Sequence, residues 1–188
     1  MKILIIYAHP NHNSFNGAIL KQVQANLDRN HEVTLLDLYA EKFNPVLSFD
    51  EDHRRRDLEK DPETQTYREL ITWADHLIFI FPIWWSGMPA ILKGFIDRVF
   101  VAGFAYSYKG MGMIGHLKGK TAWIISTHNT PGIFLPFVQD YGKVLKRQIL
   151  RMCGIKTRQV STFSYLRGSS PEKRQKLLEK VAQEARHI

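Results

Sequence analysis

Residues 76–101 read HLIFIFPIWWSGMPAILKGFIDRVFV, and the change of period inside them decides the fold. HLIFIFP, residues 76–82, is apolar on consecutive positions, as in a strand buried on both faces. From residue 89 to 101 the apolar positions fall in two i+4 rows, Ile91, Phe95, Val99 and Leu92, Ile96, Phe100. That spacing predicts a helix with a broad buried face. Pro89 suits its first turn, where an N–H has no intrahelical partner. Two tryptophans, Trp84 and Trp85, sit where the strand ends and the helix begins.

The same alternation extends in both directions. KILIIYA (2–8), EVTLLDL (32–38), KTAWIIS (120–126) and residues 155–164 read as further strands. Residues 14–29 carry helical spacing at Ile19, Leu20, Val23 and Leu27. Helices are also predicted over 64–74 and 136–152, and in SSPEKRQKLLEKV, which has a Ser cap, Pro171 in its first turn and Glu172 near the positive end. Strands apolar on both faces need helices on both faces. The expectation is therefore an α/β, doubly wound, five-stranded parallel sheet in the flavodoxin-like order 2-1-3-4-5, as a single domain over 1–188. Such sheets bind ligands beyond the carboxyl ends of their strands, so the loops after strands 1, 3 and 4 are where chemistry is expected. Residues 39–63 form one long irregular connection, a length often used for function or for a partner surface.

Composition narrows the class. Hydrophobic residues are 44% and charged residues 23% of the 188, ordinary for a globular chain. No run reaches the ~18 apolar residues of a membrane span. No small-residue cleavage site follows the apolar start, and the chain is read as cytoplasmic. The lone Cys153 excludes an internal disulfide and sits in an apolar helical stretch, as a buried thiol. The net charge of +8 fits a solvated basic surface or the steering of anionic ligands. HRRR at 53–56 raises nucleic acid, but no nucleic-acid motif accompanies it, and none is expected as partner. His12, His53, His76 and His116 lack metal-ligand spacing, so no metal is expected. Trp123 alternates inside a strand and reads as core.

Three loops should meet at one edge of the sheet. The first, AHPNHNSFNGAIL, is neither GxGxxG nor a P-loop, which leaves a Rossmann dinucleotide site and a nucleoside triphosphatase unsupported. It crowds His9, Asn13, Ser14 and Asn16 at a helix N-terminus. That place favours a phosphate, although Asn13 or Ser14 caps a helix equally well. The second loop is PIWWSGMP and the third STHNTPG. A phosphate seat, an aromatic wall and a loop of amides and hydroxyls together are what a flavin needs.

AHPNHNSFN, LDLYAEKFNP, the block from Phe81 to Phe100 and GFAYSY resemble the NAD(P)H:quinone oxidoreductase (DT-diaphorase) family, in its bacterial flavodoxin-like branch. The resemblance implies a flavin, FAD or FMN with FAD slightly favoured, and NAD(P)H as co-substrate. It also implies a homodimer and two-stage, ping-pong transfer to a quinone-like acceptor. By residue, His9, Ser14, Phe15 and Asn16 match the phosphate-side loop. Pro82, Ile83, Trp84 and Trp85 match the loop beside the flavin ring, with Trp85 as the ring-packing tryptophan and Trp84 facing the opposite way in an extended segment. Thr127, His128, Asn129 and Thr130 match the pyrimidine-edge loop. Asp97 matches an acidic position near the cofactor, or else pairs with Arg98 or Lys93. Tyr106 and Tyr108 match tyrosines that line the substrate cavity from the neighbouring subunit.

The chain also departs from that family. Vertebrate members carry a Gly-Gly pair after two threonines, then a Tyr and a His that support charge on the reduced flavin. Here residues 127–142 read THNTPGIFLPFVQDYG, with Phe134 and Asp140 near the places of that Tyr and His. The charge is then left to backbone N–H groups of 127–131 or to His128, the one candidate catalytic side chain. Two rival readings exist. One is a regulatory flavoprotein subunit of a potassium efflux transporter, in contact through residues 39–63. The other is a flavodoxin-type electron carrier, which the basic charge disfavours.

Overall fold

The computed structural model describes residues 1–51, 54–131, 133–134 and 142–188. Its main sheet has five parallel strands, β1 (Lys2–Tyr7), β2 (Glu32–Asp37), β3 (His76–Pro82), β6 (Thr121–Thr127) and β7 (Lys156–Phe163). Their spatial order is β2-β1-β3-β6-β7, the 2-1-3-4-5 arrangement expected from the pattern. A separate antiparallel hairpin joins β4 (Tyr106–Lys109) to β5 (Gly112–Gly115), with Tyr106 opposite Gly115. The alternation of helices and apolar strands gave no sign of it. Gly110, at φ 57°, turns its two-residue loop, a backbone that ordinary side chains resist.

Strand alternation splits the interior into two cores. Leu4, Ile6, Phe79, Phe81 and Ile124 face α2 (Pro62–Trp73) and α3 (Ala90–Val99). Ile3, Ile5, Tyr7, Ile78, Ile80 and Trp123 face α1 (Phe15–Asn26) and α4 (Pro171–Arg186). Trp123 is fully buried, and its indole N–H donates to Ser161 Oγ at 3.0 Å. Ser161 donates in turn to Glu184 Oε2 at 2.7 Å, which ties β6, β7 and α4 together.

Helix starts follow side-chain chemistry. Ser14 and Ser170 cap α1 and α4, accepting from Gly17 and Lys173 N–H at 3.2 Å. Asp61 caps α2 by accepting from Glu63 N–H at 2.9 Å, and Pro62 follows in the first turn. This cap starts α2 two residues before the predicted 64. Pro89 occupies the cap position of α3 itself rather than its first turn. The helix predicted over 136–152 is represented by a π-helical turn at Leu145–Leu150; 136–141 lie outside the described residues.

The long connection contains a 3-10 helix at Arg55–Lys60. Arg98 on α3 pins both of its ends. It donates to Asn44 O at 2.8 Å, Glu63 Oε2 at 2.6 Å and Asp61 Oδ2 at 3.2 Å. Among the described residues no helix is long and apolar enough to cross a membrane.

Candidate functional site

The three loops meet through Thr127, the last residue of β6. Its carbonyl accepts from Ile83 N–H at 2.7 Å, which joins the ends of β3 and β6. Its Oγ1 accepts from Asn16 Nδ2 at 2.9 Å, which joins β6 to the start of α1. Asn16 is 4% exposed, and its Oδ1 has no hydrogen-bond partner. A buried amide left half-satisfied is costly, and such an atom calls for a partner from outside the chain. Gly17 is required beside it, because a Cβ there would strike the His12 carbonyl.

On the first loop, His9 Nδ1 accepts from Asn11 N–H at 3.0 Å. Burial lowers the His9 pKa, and the neighbouring His12 adds to this. A neutral ring that accepts at Nδ1 carries its proton on Nε2, so His9 is a donor on that side. Its ring lies 5.9 Å from that of Trp84. Ser14 Oγ is engaged as the cap of α1, the plainer of the two readings open to it. Phe15 packs against the core face that carries Tyr7 and Ile19.

The tryptophan loop is not extended. Trp84 and Gly87 exchange both backbone hydrogen bonds, at 2.9 and 3.0 Å. Between them Trp85 and Ser86 hold φ of 49° and 63°. Two successive positive φ values make a type I′-like turn, strained for residues other than Gly, Asn or Asp. The two rings therefore do not oppose each other across an extended strand, contrary to the expectation from the sequence. The turn, not strand alternation, separates them. Trp84 leans toward His9, and Trp85 stands wholly exposed. Pro82 and Ile83 are buried beneath.

The third loop offers fewer amides than its sequence suggested. Pro131 has none, and the His128 N–H donates to Phe163 O at 2.9 Å. Beyond the strand the loop continues through Asn129 and Thr130. Asn129 Oδ1 accepts from Arg167 N–H at 3.0 Å and so anchors the loop after β7. The His128 side chain is buried, and burial lowers its pKa. The imidazole is neutral at neutral pH and carries no positive charge with which to hold an anion. Phe134 is exposed, whereas Asp140 and Gly132 lie outside the described residues.

Asp97, Tyr106 and Tyr108 are not with these loops. They line a cavity of about 530 Å³ bounded by the 3-10 helix, α3, the hairpin and the π-helical turn. Asp97 there pairs with Lys93 at 2.6 Å, one helical turn away. Tyr106 and Tyr108 stack edge to face at 5.6 Å. Cys153 sits at the same wall, 3% exposed, with its thiol pushed up to about 12 by burial. It is no nucleophile at neutral pH. A second cavity of about 480 Å³ lies on the far side of the 3-10 helix, around Arg98.

Sequence reading missed one further pair at the loop edge. His12 Nε2 lies 2.7 Å from Asp37 Oδ2, and the Tyr7 ring lies 5.3 Å from that of His12. Asp37 ends β2, so the carboxyl-end rule points to it once all the strands are treated alike. Among the described residues no group of three or more His, Cys, Asp or Glu could hold a metal ion.

Residues 1–188 match the family described as flavodoxin-like fold. An uncharacterized NAD(P)H oxidoreductase of Haemophilus influenzae is 31% identical over 191 residues, covering 97% of this chain and 93% of that one. The crystal structure of a Streptococcus mutans UA159 protein is 66% identical and covers both chains completely, with a TM-score of 0.98. The NAD(P)H:quinone oxidoreductase of Methanothermobacter marburgensis is 27% identical, with a TM-score of 0.84 over 99% of this chain and 96% of that one.

Proposed function

Because the chain belongs to the family of flavodoxin-like fold, we propose that it is a flavin-dependent NAD(P)H oxidoreductase acting on quinone-like acceptors. The convergence of three loops on Thr127 is the observation that carries this reading. The residues present fit a flavin. The unpartnered Asn16 Oδ1 suits a hydroxyl donor such as those of a ribityl chain. The start of α1 suits a phosphate, through its first N–H groups and its dipole. Relatives named as NAD(P)H and quinone oxidoreductases support the activity.

A bound flavin would supply the two-electron redox chemistry between NAD(P)H and the acceptor, in a two-stage, ping-pong scheme. The chain's own residues bind and orient. His9, Ser14, Phe15 and Asn16 hold the phosphate side. Pro82, Ile83, Trp84 and Trp85 wall the ring, and Trp85 needs no rearrangement of the core to do so because it is already exposed. Thr127, His128, Asn129 and Thr130 form the loop at the pyrimidine edge, whose dipoles stabilise charge there. Tyr106 and Tyr108 act in a homodimer, closing the partner's site against water. Asp97, held by Lys93, belongs to that subunit contact rather than to the three-loop edge.

The deciding experiment is purification without added cofactor, mass identification of any released flavin, and steady-state NAD(P)H–quinone kinetics. FAD is the expected flavin, with parallel double-reciprocal lines. A chain that binds neither FAD nor FMN, oxidised or reduced, sinks the reading.

A further inference from the structure

The cavity of about 530 Å³ combines features that the proposed activity does not yet use. Its volume lies in the range that takes a small organic ligand. One wall is the edge-to-face pair Tyr106 and Tyr108, with Met113 beside it. Tyrosine faces and a thioether suit a flat aromatic ring. Arg55 and Arg56, at the start of the 3-10 helix, line the same cavity.

The charge balance of the cavity is positive. Asp97 lines it too, but Lys93 neutralises Asp97 at 2.6 Å. Arg56 meets Asp57 only at 4.0 Å, with both side chains largely in solvent. Among the described residues Arg55 makes no ion pair. Arg55 is near enough to Tyr106 that its charge works against the burial that raises the phenol's pKa. The helix carrying the two arginines is held in place by Arg98 at both ends of the connection.

We propose that this cavity selects planar aromatic acceptors carrying an anionic group, with the ring on Tyr106 and Tyr108 and the sulfonate or carboxylate on Arg55 and Arg56. This rests on the reading of Tyr106 and Tyr108 as substrate-cavity residues. The guanidinium groups suit a sulfonate or carboxylate in bidentate fashion, which lysines would not.

The test compares naphthoquinone sulfonate with unsubstituted naphthoquinone as acceptors, in the wild type and in the double variant Arg55→Gln, Arg56→Gln. The readout is the ratio of kcat/KM for the sulfonated over the neutral acceptor. Comparing that ratio between proteins cancels the acceptors' own difference in reactivity. It is expected to fall about tenfold or more in the double variant, as for a lost charge-assisted contact. In the wild type it is expected to fall as salt rises. Calorimetric titration with naphthalene sulfonate, which undergoes no reduction, should show binding that the double variant weakens.

A ratio unchanged by both the variant and salt, with quinone turnover intact, overturns the cavity assignment and leaves the oxidoreductase reading standing. Arginine-dependent sulfonate binding without turnover of any quinone does the reverse. If the variant does not fold, the salt dependence and the titration in the wild type decide.

Discussion

The Asn16 amide donates to Thr127 Oγ1 at 2.9 Å, across 111 residues of sequence. One hydrogen bond thus locks the start of α1 to the end of β6, at the edge where a parallel sheet takes its ligands. Thr127→Val keeps the shape and removes the acceptor, leaving a buried N–H group unmatched. The expected cost is about 1–3 kcal/mol. Flavin retention should fall with it, because the amide is then free to turn. Urea unfolding gives the first quantity and the flavin-to-protein absorbance ratio the second. Unchanged values in both would mean that the Asn16–Thr127 bond organises nothing.

Trp85 and Trp123 separate a ligand wall from a core. Trp85 is wholly exposed and Trp123 wholly buried. Trp123→Ala should cost about 3–5 kcal/mol in the apoprotein. Trp85→Ala should change stability by less than about 0.5 kcal/mol, as surface substitutions do, while weakening flavin binding or turnover. Thermal unfolding of both apo variants, and flavin titration after reconstitution, check this. Normal flavin affinity and turnover in Trp85→Ala would remove that ring from the site.

His76 makes stability depend on pH. It is 3% exposed, with Nδ1 2.7 Å from Thr121 Oγ1 and no hydrogen-bond partner for Nε2. Burial, helped by Arg158 and His31, lowers its pKa from 6.5 to about 4. The unfolded chain therefore takes up a proton that the folded chain refuses. The neutral-ring contribution is complete above the unfolded pKa and is lost as pH falls from about 6.5 to about 4, up to about 3 kcal/mol. His76→Asn keeps a polar group toward Thr121 and removes the titration. Its denaturant midpoint should fall less than the wild type's between pH 7 and pH 4.5. Equal slopes would show that His76 titrates normally.

Tyr108 and Met111 are exposed at the hairpin, 68% and 108%. Together with the cavity beneath, they form an aromatic and Met-rich surface of the kind that interfaces use. A dimer is expected by light scattering, and Met111→Lys should shift it toward monomer and lower quinone turnover together. A wild-type monomer at high concentration would take Tyr106 and Tyr108 out of the partner's site.

The five parallel strands, their order and the helices on both faces were legible in the sequence, because each depends on local periodicity. The consecutive apolar positions of HLIFIFP demand cover on both sides, and helices between parallel strands supply it. The meeting of the three loops followed from strand order and needed no coordinates. Local patterns could not say how the tryptophan turn would fold. WWSG lacks the Asn-Gly signal of a type I′ turn, yet closure between β3 and α3 forces Trp85 and Ser86 to positive φ. Nor could they reveal that His128's amide is taken by Phe163, a contact made only once β7 lies beside β6. Above all, the basic run HRRR at 53–56 suggested only a solvated surface or a contact with nucleic acid or a partner. The fold brings a 3-10 helix and a hairpin about 50 residues later to one cavity, which Arg55, Arg56, Tyr106 and Tyr108 all line. Periodicity sees neighbours within a turn or a strand, whereas a cavity wall is the sum of contacts between segments distant in the chain.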